Sequence, residues 1–415
     1  MRVLHINQSE ASGGAGIAGL RLHDAMLAQG ADSYIMAGSI RARTPRVSPV
    51  PGTRGSDAWL KGLTDFLGLN YIHRFSTFRI AKHEFCKKAD ILNFHNLHSG
   101  YFNYLALPRL TRDRPAVYTL HDMWAFTGHC AYSYDCERWK TGCGSCPYPN
   151  TYPAIRRDNT SLEWKLKKTV HGNANLTIVT VSRWLAEQAR QSLLSRFAVH
   201  HIPNGLNTEI CRPLDPEKCR EVLQIPQGKK ALLFAAADTT DSRKGFDLLL
   251  NALCMLPASL KKEIVLTVMG DGANEDIAKN TGVETVNLGY VGGDVLKSIV
   301  FSAADLFVFP TRADNLPVVL QESMACGTPM VSFDIGGVSD LVRPGTTGYL
   351  ARPEDSQDLS RGIVQLLEDN DARAKMGANC RAIALEEYSS DLQAKRYLDL
   401  YRSILNPIGI ATVKC

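Results

Sequence analysis

Two carboxylates, Asp314 and Glu322, stand eight positions apart in the second half of the chain, and the residues between them read as a turn into a helix. Residues 306–310 are strand-like, 311–317 form a loop, a helix runs to Cys326-Gly327, and a further strand follows over 330–333. Asn315 suits a helix cap and Pro317 the first helical turn. Asp314 then falls at the loop tip, with Glu322 about two turns along the helix behind it. A loop of this kind follows a strand's carboxyl end, where open α/β sheets bind ligands. Its free backbone N–H groups would face a diphosphate. The plainer alternative is that Asp314 only caps the helix.

Two further groups invite chemistry. Gly14-Ala-Gly16-Ile-Ala-Gly19 fits the dinucleotide pattern G-x-G-x-x-G and opens a helix after a strand. That pattern needs the first glycine almost directly after the strand, and an acidic residue ending the second strand. Here residues 7–13 read as a loop, and the second strand ends in Met36-Ala-Gly-Ser39, so a nicotinamide-dependent dehydrogenase is rejected. What remains is a helix N-terminus suited to an anion. The second group is Cys130, Cys136, Cys143 and Cys146, within seventeen residues. Four thiolates so close would hold a structural Zn²⁺ tetrahedrally, and the insert 128–147 has little apolar content to fold alone. An Fe–S cluster, free thiols or a redox pair are the alternatives.

The elements that must position these groups alternate strand and helix. Residues 3–6, 33–37, 91–94, 117–120 and 177–181 read as short strands, with helices over 18–29 and near 59–69. A second series follows over 231–236, 264–269, 285–288, 306–310 and 330–333, with a helix over 245–256. This is the pattern of parallel sheets covered on both faces. The turn-rich, polar stretch 204–228 separates the two series. Residues 390–405 carry apolar side chains at helical spacing.

Composition agrees. At 415 residues the chain is too long for one ordinary domain, and 45% apolar with 21% charged residues excludes a disordered or fibrous protein. No apolar run approaches the ~20 residues of a membrane span. The chain opens directly into the strand, without a signal-peptide core, so a cytoplasmic location is expected. Eleven cysteines, an odd number, make a disulfide framework improbable in that setting. The net charge of +5 divides unequally: residues 1–205 carry +11 and residues 206–415 carry −6. The basic half would face an anionic partner. Its clusters are Arg74, Arg79, Lys82, Lys87 and Lys88, then Arg156, Arg157, Lys165, Lys167 and Lys168 around Trp164. Both suit the inner face of a plasma membrane. Nothing points to nucleic acid.

With these motifs in place, the chain resembles the retaining nucleotide-sugar glycosyltransferases of GT-B architecture, family four, over essentially its whole length. It looks like the group 1, colanic-acid or exopolysaccharide type. The resemblance implies two Rossmann-like, doubly wound parallel-sheet domains facing a central cleft: an acceptor domain over 1–205 with the cysteine insert, a nucleotide-sugar domain over 206–389, and a helix over 390–415 that returns to the first domain. In such enzymes one carboxylate lies by the transferred sugar and a second binds ribose, roles that fall on Asp314 and Glu322. The first is normally Glu, so Asp314 is a departure. Residues 239–245 resemble the diphosphate loop, which places Lys244 on the donor phosphate. The family's Arg position holds Thr239 here, so Arg243 takes over or Lys244 acts alone with helix-dipole help. His121, at the end of a strand, matches a His against the donor sugar. Asp122 is the alternative as the base of an inverting enzyme. Gly13 and Gly14 resemble a loop approached by the donor, and Asn315 and Leu316 belong to the donor site. The neighbouring His95 and His98 are family-like without an assigned role.

The implied reaction is hexosyl transfer, with retention, from a UDP- or GDP-sugar to a lipid-linked or oligosaccharide acceptor in exopolysaccharide or capsule assembly. No catalytic metal is expected, because basic groups and helix dipoles stabilise the leaving diphosphate. Asp369-Asn-Asp371 has the letters of a metal motif but follows a polar helix at the periphery. The rivals are a sugar-nucleotide epimerase on the same architecture and a non-catalytic partner protein.

Overall fold

The computed structural model describes residues 1–41, 44–52, 55–272 and 277–406, so the last part of the helix expected over 390–415 lies outside the described residues. Chain contacts divide it into two units, Met1–Gly205 with Ser390–Cys415, and Leu206–Ser389.

The first unit is built on seven parallel strands: β1 (Arg2–Ser9), β2 (Asp32–Ser39), β3 (Val47–Pro49), β4 (Ile91–Phe94), β5 (Ala116–Leu120), β6 (Leu176–Thr180) and β7 (Val199–His201). Their order across the sheet is β3-β2-β1-β4-β5-β6-β7. The second unit has six: β8 (Lys230–Asp238), β9 (Ile264–Asp271), β10 (Glu284–Gly289), β11 (Leu306–Phe309), β12 (Met330–Phe333) and β13 (Gly348–Ala351), ordered β10-β9-β8-β11-β12-β13. Every pairing between these strands is parallel. In β4, β5, β11 and β12 every residue is buried, because helices cover both faces. In each sheet the strand order reverses once, between β1 and β4 and between β8 and β11.

The start of the first unit differs from the sequence reading. β1 runs on to Ser9 and only three residues separate it from the helix Gly13–Ala28, so the seven-residue loop expected over 7–13 does not exist. Polar Asn7 and Ser9 hid the extension; they pair in register with Ala37 and Ser39 of β2. The turn is therefore nearly as short as a dinucleotide fingerprint needs. The other objection stands, since β2 ends in Gly38-Ser39 without an acidic residue.

The helix Ser390–Leu405 packs in the first unit. Tyr397 and Tyr401 are fully buried with Val3, Leu22, Ile91 and Val117. The Tyr401 hydroxyl accepts from the Asn93 side-chain amide at 2.8 Å, and the Tyr397 hydroxyl lies 3.0 Å from Thr119 Oγ1.

The second basic cluster also needs correction. Lys167, on the helix Thr160–Gly172, is fully buried rather than offered to a surface. Its ammonium donates to the carbonyls of Trp124 (2.7 Å) and Thr127 (3.0 Å) and lies 3.6 Å from the Trp124 ring centroid. Trp164 is buried too, with its indole N–H on the Trp139 carbonyl. One turn from Lys167, buried Glu163 accepts from the Tyr104 hydroxyl at 2.6 Å. Burial pushes Glu163 up to about 7 and Lys167 down to about 8. Truncating one partner of such a buried set is costly. Lys167→Met should therefore lower the unfolding free energy by about 3–5 kcal/mol in chemical denaturation. Lys165→Met, at an exposed position two residues away, should change it by no more than about 0.5 kcal/mol.

Candidate functional site

In the second unit the loop after β8 and the loop after β11 flank the point where the strand order reverses. After Asp238 the chain turns through a short 3₁₀ segment, Ser242–Lys244, capped by Asp241, whose carboxylate accepts from the Arg243 N–H. It enters the helix Phe246–Cys254 through Gly245. Gly245 has φ +69°, and a Cβ there would lie 1.9 Å from the Pro310 carbonyl oxygen. Only glycine lets the two loops touch backbone to backbone. The Arg243 carbonyl then accepts from the Arg312 N–H at 2.8 Å and the Thr311 hydroxyl at 3.1 Å.

This zipper brings residues seventy positions apart together. Lys244 Nζ lies 2.7 Å from Asp314 Oδ2, and Arg243 reaches the same oxygen at 3.2 Å. Arg243 also donates to the Ala313 carbonyl (2.9 Å) and pairs with Asp241 (3.1 Å). Burial alone would raise the Asp314 pKa, but the charges of Lys244 and Arg243 outweigh it and hold the carboxyl below its ordinary range. Burial likewise draws Lys244 below its ordinary value, against the pull of Asp314. The second turn to hold Asp314 is Gly336-Gly337. Gly336 has φ +56°, a Cβ there would meet the Asp314 carbonyl at 2.1 Å, and Gly337 N–H donates to that carbonyl at 3.3 Å.

Asp314 is thus a half-buried ion-pair partner on the loop rather than a helix cap, and Asn315 is not a cap either. The helix is Val318–Ala325 and its N-cap position is Pro317, so Asn315 lies outside the first turn. The Asn315 N–H instead donates to Asp314 Oδ1 at 3.1 Å. Asn315 and Leu316 are both buried. Glu322 lies little more than one turn into the helix, not two, and is fully buried. Both its oxygens meet Lys297 Nζ, at 3.0 and 3.2 Å. Lys297, on the helix Asp294–Ala303, was not foreseen: it is twenty-five residues away and carries no local pattern. Thr239, at the Arg position of the resembled loop, is buried and ties the end of β9 by donating to the Asp271 carbonyl. Asp369 caps the exposed start of the helix Asn370–Glu387, so the Asp369-Asn-Asp371 letters mark a helix end.

In the first unit Gly13 and Gly14 open the helix Gly13–Ala28, both exposed, with no acidic residue in its first turn. Nothing lies within 4 Å of where a Gly13 Cβ would stand. His121 follows β5, and burial pushes it down to about 4, so it is a neutral imidazole near neutral pH. His95 Nδ1 lies 3.0 Å from His121 Nε2. Asp122 is buried, with Oδ2 2.7 Å from His98 Nε2 and Oδ1 accepting from the Trp124 N–H at 2.9 Å. Burial would raise its pKa, but His98 overrides this and keeps it low, a poor setting for a general base.

The four cysteines and His129 line one cavity of about 20 Å³, room for roughly one atom or water. His129 Nε2 lies 3.1 Å from Cys146 Sγ, and the Gly128 N–H points at Cys143 Sγ (3.2 Å). Burial pushes the Cys130 thiol up to about 12 and Cys143 to about 11. Among the described residues no three His, Cys, Asp or Glu side chains are drawn together as a metal-binding group.

The Glu322–Lys297 pair gives a direct test of this arrangement. Glu322→Ala should destabilise the protein by about 3–5 kcal/mol, because it removes a fully buried carboxylate and strands the half-buried Lys297 ammonium. The double variant Glu322→Met with Lys297→Met should recover most of the loss in a double-mutant cycle.

Comparison with known proteins agrees with this architecture. The Glycosyltransferase Family 4 description matches residues 12–210, and Glycosyl transferases group 1 matches residues 215–382. The putative colanic acid biosynthesis glycosyl transferase WcaC of Escherichia coli (strain K12) is 26% identical over 97% of this chain and 100% of its own. The sucrose-phosphate synthase of Thermosynechococcus elongatus superposes with TM-score 0.69 at 18% identity, over 98% of this chain and 100% of that one. Anabaena Alr3699/HepE in complex with UDP does so with TM-score 0.67 at 17% identity, over 97% and 100%. Two parallel-sheet units of this topology, each matched by its own half of the family, place the chain in the group 1, family four glycosyltransferases with the GT-B fold.

Proposed function

We propose that the protein transfers a hexose, with retention of anomeric configuration, from a UDP- or GDP-sugar to a lipid-linked or saccharide acceptor during exopolysaccharide or capsule assembly. The observation that carries the reading is the convergence of Lys244, Arg243 and Asp314 beyond β8 and β11, where open parallel sheets bind ligands. Lys244 and Arg243 neutralise the departing diphosphate, Glu322 binds ribose, and Asp314 and His121 hold the sugar. Asn315 and Leu316 line the donor, and Gly13 and Gly14 leave space for it. The acceptor oxygen attacks the anomeric carbon, the bond to phosphate breaks, and the acceptor proton passes to the leaving phosphate oxygen. The UDP bound in HepE favours a uridine donor, and the WcaC similarity favours an exopolysaccharide setting.

A donor screen reading nucleotide release, with a lipid-linked acceptor extract, tests this. Wild type should turn over one nucleotide-sugar, and Lys244→Met should lose on the order of 10²–10³-fold in kcat. Equal turnover in both would sink the assignment. Interconversion of the sugar nucleotide without any use of acceptor would point to the epimerase.

We propose also that the first unit docks on anionic membrane. No helix among the described residues is long and apolar enough to cross one. The helix Gly55–Phe66 instead presents Trp59, Leu63 and Phe66, exposed at i, i+4 and i+7, and Phe75 is exposed after it. Arg79, Lys82, Lys87 and Lys88 are exposed in the following segments, whereas Arg74 is tied to the Gly100 carbonyl. Apolar side chains beside cations suit an interfacial site. Flotation should show the protein on phosphatidylglycerol-containing vesicles and not on neutral ones, and Trp59→Ser with Phe66→Ser should release it. Equal binding to both vesicles would remove the proposal.

A further inference from the structure

Three imidazoles step across adjacent strands of the first unit. His5 lies on β1, His95 directly follows β4 and His121 directly follows β5. His5 Nδ1 is 3.1 Å from His95 Nε2, and His95 Nδ1 is 3.0 Å from His121 Nε2. The rings are stacked, with interplanar angles of 30° and 29°. His5 and His95 are each 1% exposed. Burial holds all three neutral, with His5 down to about 3 and His95 well below its ordinary value.

A neutral imidazole has one N–H and one lone pair. Two N···N bonds in series therefore permit only two arrangements. In one, all three rings carry the proton on Nδ1, and His121 accepts at Nε2. In the other, all three carry it on Nε2, and the series ends on a His5 Nε2–H. His5 Nε2 is buried and has no hydrogen-bond partner among the described residues. An orphaned buried donor is rarer and costlier than an under-used acceptor, so the first arrangement is favoured. Free neutral histidine prefers the opposite tautomer, which makes the expectation specific.

We propose that His95 and His5 are positioning residues that lock His121 as an Nδ1–H hydrogen-bond donor, with its Nε2 already occupied. Resting on the donor-sugar reading of His121, this gives that residue one duty. It donates to a sugar oxygen and cannot act as a proton acceptor through Nε2. The strand ends that carry the series are braced from behind. Asn93 and Thr119, two residues before His95 and His121, bond each other at 2.9 Å and bond the two tyrosines of the helix Ser390–Leu405.

The test is long-range ¹H–¹⁵N correlation on full-length, ¹⁵N-histidine-labelled protein near neutral pH, with assignments from single-histidine variants. Pyrrole-type Nδ1 and pyridine-type Nε2 at His5, His95 and His121 are expected. An Nε2–H form, a mixture or a doubly protonated ring at any of the three would overturn the proposal. His5→Phe removes the terminal donor and should convert His121 to a mixture of tautomers. Sugar transfer should fall on the order of 10-fold, as for other residues that orient a functional group through its far nitrogen. An unchanged His121 tautomer in that variant would also overturn the proposal. The expected tautomers together with full transfer by His121→Ala would leave the series standing and remove the donor-sugar reading.

Discussion

A parallel strand cannot return to its neighbour by a hairpin; the chain must cross a face of the sheet, and it does so right-handed. Every loop that follows a strand is therefore delivered to one edge of the sheet, whatever its distance in sequence. That constraint explains how Lys244 and Arg243 come to meet one carboxylate oxygen of Asp314, and how His5, His95 and His121 form one series. In each unit the reversal of strand order leaves the two central loops diverging to opposite faces, and the space between them is where polar side chains can be gathered without being covered by a crossover helix.

Gathering charge at such a place has a cost that the surroundings offset in different ways. Half-buried Asp314 is held ionic by Lys244 and Arg243, and fully buried Glu322 is paired with Lys297. Lys167 is kept by two carbonyls and the face of Trp124. The histidines follow another route. Their burial is met by loss of the proton, and the neutral rings then bond one another. Replacing any single member strands its partner, so these positions mix stability with function, and a loss of activity at Glu322 or Lys244 needs a stability measurement beside it.

How much of this was legible in the sequence depended on whether a residue's burial could be inferred from its neighbours. The strands 91–94 and 330–333 were readable to the residue because they are short runs, apolar but for Asn93 and Ser332, with polar or turn residues on both sides. The end of β1 was not, since Asn7 and Ser9 pair in the sheet while looking like loop. Asp314, Glu322 and Lys244 stood out through loop position and family likeness, but the pairing of Arg243 with Asp314 and of Lys297 with Glu322 could be read only once crossovers had been folded. Lys167 was misread because a lysine among lysines looks like surface, and its burial depends on carbonyls contributed by the segment 124–127. His5 gave no signal at all, being a polar residue inside a strand.

The pairing around Asp314 also limits how a donor can enter under the proposed reading. Both cations of the loop are already engaged, Lys244 by Asp314 and Arg243 by Asp314 and Asp241 together, so the cluster is charge-balanced and not a standing trap for anions. A diphosphate must draw the cations away from Asp314. That leaves a half-buried carboxylate without its charge partners unless new donors reach it. The hydroxyls of a transferred sugar are such donors, and the phosphate-linked sugar brings them at the same moment. The nucleotide diphosphate alone removes the cations without supplying a replacement. In this arrangement the shorter Asp, in place of the usual Glu, keeps the carboxylate within reach of Lys244 before the donor arrives, and so couples recognition of the sugar to recognition of the phosphate that carries it.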